Sequence, residues 1–171
     1  MKECLLQSGR RPLVWANIVA GCSLVLMSAA AKAQDAVQTP QDPGVTVITL
    51  TQTGCQFLEP EGGTDHGFKT EEKSDCLEIN EKTGKDRLQK ISPLTVKPGK
   101  YIFRVSNKNV PYELGFWLRG AGLSRLLQPN VSGGGLTEGV TRDYSVELTP
   151  GNYSYSCPLN PTPDYPLVVK D

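Results

Sequence analysis

Two stretches of this chain share one grammar: an alternating run reaches Pro-Gly, and a second alternating run follows. Pro93-Leu-Thr-Val-Lys97, Pro98-Gly99 and Lys100-Tyr-Ile-Phe-Arg-Val-Ser106 form the first. Arg142-Asp-Tyr-Ser-Val-Glu-Leu148, Pro150-Gly151 and the run from Asn152 to Cys157 form the second. A period of two predicts strands with one buried face, so Tyr101, Phe103 and Val105 fall together and Arg104 opposite. Pro-Gly between such runs predicts two antiparallel hairpins, and stacked hairpins predict a sandwich or barrel.

The remaining segments fit that class. Val45-Thr-Val-Ile-Thr-Leu-Thr51 is β-branched and alternating, a first strand, and Gly54-Cys55-Gln-Phe-Leu58 extends it or begins a second. Residues 59–73 carry glycine, proline and charge and read as a loop. Ser74 then caps a short helix to about Thr83, stopped by Gly84, with a further turn open over 86–90. Glu113 to Leu118 is another strand, and Gly120 to Leu127 holds a brief helical turn. Ser132-Gly-Gly-Gly135 reads as a flexible turn.

Residues 1–33 read as a secretory signal: Arg10 and Arg11, an apolar run from Leu13 to about Met27, and Ala31-Lys32-Ala33 as the cleavage site. That run is short for a membrane span. Val19-Ala-Gly-Cys22 resembles a lipoprotein box, making lipid anchoring at Cys22 the lesser alternative to a periplasmic or secreted protein. Residues 34–43 are a polar, proline-containing lead-in, and one domain is expected over 44–171. Removing the leader takes away four basic residues and one acidic one, leaving 14 basic against 17 acidic. Without a basic, aromatic-interleaved cluster, nucleic acid is not an expected partner.

Three cysteines follow the leader: Cys55, Cys76 and Cys157. In an oxidising compartment an odd number leaves one thiol over. Cys55 and Cys76 bracket a polar loop and are the natural pair, stabilising the fold by about 3 kcal/mol in the chain-entropy account. Cys157 then shares strand parity with Tyr153 and Tyr155, which predicts a buried thiol.

Residues 93–170 resemble a cupredoxin-like domain of the plastocyanin and amicyanin type. Three features carry the likeness: the Asn107-to-Phe116 corner, the arm from Thr149 to Cys157, and the short loop from Cys157 to the last strand. The resemblance implies an all-β fold, a Greek-key cupredoxin-like β-sandwich with a loop and short-helix insertion at 59–90. It also implies where a blue-copper centre would sit. The first histidine ligand falls on Tyr112, the cysteine on Cys157, the second histidine on Asn160 and the methionine on Pro163. A type 1 site needs two imidazoles, a thiolate and a weak axial ligand, and the chain's single histidine, His66, lies in the insertion.

The expectation is therefore an exported binding or structural module, bacterial in the look of its leader, that has lost copper electron transfer. Tyr112 is expected to fill the vacated space with its hydroxyl on Asn160 or on backbone, and the former metal end to serve as a contact surface. Trp117, Tyr165, Leu126 and Leu127 are candidate anchors for a protein partner. Two alternatives remain: a periplasmic copper or iron binder using Cys157 with Tyr112, Glu113 or Asp164, and electron transfer through an unusual copper site. His66, among Glu59, Glu61 and Asp65, reads as solvated. No Ser–His–Asp or Cys–His set is available for nucleophilic catalysis, so no enzyme is expected.

Overall fold

The structure is a computed structural model, described here over residues 43–171. The expected leader and most of the lead-in lie outside the described residues. Among the described residues, two sheets form a sandwich-like, mostly β fold with one α-helix.

One sheet has the order β2-β1-β4-β7, from β1 (Val45–Thr53), β2 (Gln56–Phe57), β4 (Gly99–Asn107) and β7 (Thr141–Leu148). The other has the order β3-β9-β8-β5-β6, from β3 (Leu94–Val96), β5 (Leu114–Gly120), β6 (Val131–Leu136), β8 (Gly151–Ser156) and β9 (Tyr165–Val169). β1 runs parallel to β4, and β3 parallel to β9; the other ladders are antiparallel. Burial alternates along β4 as its sequence requires, with Tyr101, Phe103 and Val105 inward. Between the sheets Phe116 meets Phe103 at 5.3 Å and Tyr144 at 5.2 Å, while Phe57 meets Tyr155 and Tyr165 edge-on, each at 5.7 Å.

Neither Pro-Gly unit is a hairpin. β3 and β4 belong to different sheets, and so do β7 and β8. At each Pro-Gly the chain crosses from one layer to the other, with Gly99 at φ 148° and Gly151 at φ 151°. A side chain would be strained there, which is why both corners use glycine. Each corner is clamped by the tyrosine two residues on. Tyr101 Oη donates to the Lys97 carbonyl at 2.7 Å, and Tyr153 Oη donates to the Thr149 carbonyl at 2.9 Å. The repeated motif is thus x-Pro-Gly-x-Tyr, a sheet-crossing corner whose apolar ring is core and whose hydroxyl closes the turn. Tyr153→Phe should cost about 1 kcal/mol by unpairing that carbonyl, read as a lower urea midpoint at unchanged m-value.

Two other expectations are corrected. Ser132-Gly-Gly-Gly135 is not a flexible turn but lies in β6, at a sheet edge. A Cβ on Gly133 would stand 2.8 Å from the Tyr144 ring, and Gly134's would stand 2.7 Å from the Glu113 carboxylate. The glycines let side chains lie directly on the strand's backbone. The helix α1 spans Lys73–Leu88, starting before the expected Ser74 cap and running through Gly84 into the further turn left open over 86–90. Its cap is Glu72 rather than Ser74, because Glu72 and Asp75 form a reciprocal capping box. Gly84 does not stop it; it lies buried inside the helix, on the side that faces Pro163.

Candidate functional site

The closing loop after β8 places Cys157, Asn160 and Pro163 at one end of the sandwich, and the corner before β5 brings Tyr112 to the same place. Cys157 is 1% exposed. Its Sγ accepts N–H bonds from Gly115 and Asn160, both at 3.2 Å. Burial pushes the thiol's pKa up, and the backbone donors offset only part of that. The neutral thiol is therefore the resting form, and thiolate chemistry is suppressed.

Asn160 is the hub. Its Oδ1 accepts from the Cys55 backbone N–H at 3.0 Å and from Tyr112 Oη at 3.1 Å, while its Nδ2 donates to the Thr53 carbonyl at 2.9 Å. Those bonds commit the carboxamide to the protein. Tyr112 is half-buried, and burial raises its pKa, so it stays a phenol that donates.

The Cys55–Cys76 disulfide is present and closes a separation of 21 residues. It lies against the same cluster, with Cys76 Sγ 2.9 Å from Asn160 Oδ1 and 3.8 Å from Tyr112 Oη. Cys55 holds φ at 61°, an unusual left-handed position for a side-chain-bearing residue. The disulfide brings α1 down over this end, where Asn80 Nδ2 bonds the Pro161 carbonyl and Gly84 meets Pro163. The insertion at 59–90 thus covers the end that was expected to remain a free contact surface.

Other candidates are held elsewhere. Glu113 is exposed, and its carboxylate accepts the Gly135 N–H at 2.6 Å. Asp164 is paired with Arg119, whose Nη2 reaches both carboxylate oxygens at 2.7 Å. Tyr165 is a core residue, not an anchor. Trp117 is half-buried beneath the Arg119 guanidinium at 4.0 Å, while Leu126 and Leu127 are exposed. Among the described residues, no cluster of three or more His, Cys, Asp or Glu side chains is arranged to hold a metal ion.

Sequence reasoning passed over a second polar cluster. Glu61, read as part of a solvated acidic loop, has a side chain only 4% exposed beside Arg87 at 7%. Arg87 Nε and Nη2 grip the carboxylate at 2.9 and 2.5 Å, and Tyr165 Oη donates to it at 2.5 Å. His66 meets Glu61 at 2.7 Å and stacks on Phe68, so it is a partner in this network. Burial alone would raise the Glu61 pKa, but bonds from Arg87, Tyr165 and His66, with the Arg87 charge, hold it below the ordinary carboxylate range. Arg87 also donates to the Cys55 carbonyl at 3.2 Å and to Asn80 at 2.5 Å, which joins this network to the disulfide. One signal was available: α1 has no apolar stripe, so a helix there had to dock through polar groups.

No protein-family model matches the chain, and no curated protein matches it in sequence. Among solved structures, the crystal structure of Lac15 from a marine microbial metagenome aligns at 17% identity with a TM-score of 0.36, over 77% of this chain. The aligned part spans 28% of that protein's length. At that distance the chemistry of the site rests on this chain's own residues.

Proposed function

We propose that the protein is an exported, non-enzymatic binding or structural module with a cupredoxin-like sandwich whose copper end has become a structural plug. The carrying observation is Asn160, at the position of a cupredoxin's second histidine, with its carboxamide bonded to Cys55, Tyr112 and Thr53 beside the disulfide. Convergence of Tyr112, Cys157 and Asn160 at one end of a two-sheet fold supports the family reading. The leader and the disulfide support export. Of four ligand positions, only Cys157 keeps a soft donor, and that donor is a buried thiol. Copper or iron binding through Cys157, Tyr112 and Glu113 would require Glu113 to leave Gly135, and recruitment of Asp164 would break its pair with Arg119.

Thermal melts with and without added metal test the reading, because a ligand that binds the native state raises its stability by about 2.7 kcal/mol at a hundredfold excess over Kd. The expected result is an unchanged Tm with Cu(II), Cu(I) and Fe(III). A rise of several degrees with one metal, lost in Cys157→Ala, would overturn it.

A further inference from the structure

The sandwich is left open along one side, where the edges of the two sheets face a shared cleft of about 750 Å³. β1 pairs with β2 through Gln52 and Thr53 alone. The direction of the unpaired groups follows from the strand's alternation. Gln52's carbonyl accepts Lys108 N–H on the β4 side, while Thr51 on the other side donates to Glu59 and accepts from Leu58. Two and four residues earlier, Thr49 and Val47 therefore present their N–H and C=O groups to the open edge. β3, whose ladder is with β9, is the edge of the other sheet.

The floor of the cleft is apolar: Ile48 and Leu50 from β1, Tyr155 from β8, Ile91 from the segment entering β3, and Leu94 at its start. Its charged groups are mostly committed. Glu59 caps Thr51, and Glu61 is held by Arg87 and His66. Lys90, exposed at the rim, has no ion-pair partner among the described residues. Natural sheets cover or break such an edge; among the described residues the 59–61 turn blocks it at Thr51 and no strand pairs with it at Val47 and Thr49.

We propose that this cleft binds an extended peptide segment of a partner protein, added as a strand on β1, with alternate apolar side chains in the cleft and an acidic residue at Lys90. A row of backbone donors and acceptors at strand spacing is matched by another polypeptide backbone, and the apolar floor selects every second side chain. Lys90 at the rim selects the acidic neighbour. This deepens the binding-module reading and rests on it only for the protein being a binder. None of Tyr112, Cys157 and Asn160 lines the cleft, so this test and the metal test fail separately.

The test uses the whole protein and a fluorescein-labelled octapeptide that alternates valine and threonine and ends in two aspartates, read by fluorescence polarisation. Saturable binding is expected. Thr49→Pro, which removes an edge N–H without touching the β4 ladder, should weaken it by about tenfold or more. Lys90→Ala should weaken it about two- to fivefold. If Thr49→Pro does not fold, amide exchange in the wild type reads the same ladder, with peptide slowing Val47 and Thr49. Absence of saturable binding, equal binding by a folded Thr49→Pro, or slowed exchange elsewhere would overturn the proposal. So would a wild-type dimer in sedimentation that Thr49→Pro abolishes, since the edge would then belong to a second copy.

Discussion

Arg87→Met should melt about 10–20 °C below the wild type, the largest effect expected of any single substitution outside the aromatic core. Arg87 lies at the end of α1, and its guanidinium bonds Glu61, the Cys55 carbonyl and Asn80. Removing it leaves the Glu61 carboxylate buried without its counter-charge and the Cys55 carbonyl without that donor. Breaking one side of a buried pair costs about 3–5 kcal/mol, chiefly through the stranded charge. Calorimetry on the variant reads this directly. The acid limb of stability supplies the sign. Glu61's pKa is below its ordinary value of 4.5 when folded, so unfolding takes up a proton in acid. Its contribution is present above about pH 4.5 and falls away as pH drops through the folded pKa. Glu61→Gln should flatten part of that limb. The remainder includes Asp143, whose pKa Arg104 also holds down.

Opening the Cys55–Cys76 bond, by reduction or as Cys55→Ala with Cys76→Ala, should cost about 3 kcal/mol from loop closure. The loss should not be additive with Arg87→Met, because both hold the 59–90 segment on the sandwich and share the Cys55 backbone. A double-mutant cycle in urea would show the coupling. Denatured without reductant, the chain beyond residue 33 should release one reactive thiol, from Cys157; three would refute the pairing.

Much of this architecture was legible, and the limits have physical causes. Alternation identifies a strand and its buried face, so β4, β7 and β8 could be placed within a residue or two. It does not identify the strand's neighbour. Pro-Gly fixes a local bend that serves a hairpin and a sheet crossing equally well, and what separates them is long-range pairing, here parallel ladders between β1 and β4 and between β3 and β9. The glycines of β6 read as a turn because their function is to admit Tyr144 and Glu113, which lie in other strands or corners. The α1 docking face is Cys76, Asn80, Gly84 and Arg87, a set that makes no apolar stripe. At the loop end, residue types and position allowed the Tyr112 hydroxyl either Asn160 or backbone, and the bond goes to Asn160. The presence of the disulfide in the same cluster did not, since it depends on where the insertion folds.

The most direct measurement is a Cu(II) titration of the disulfide-intact protein, followed by absorption and by copper retained after gel filtration. A plugged copper end predicts no thiolate-to-copper charge-transfer band and no retained copper, with wild type and Cys157→Ala alike. One copper per chain, with an intense band that Cys157→Ala abolishes, would show that the end is a working metal site and contradict the account.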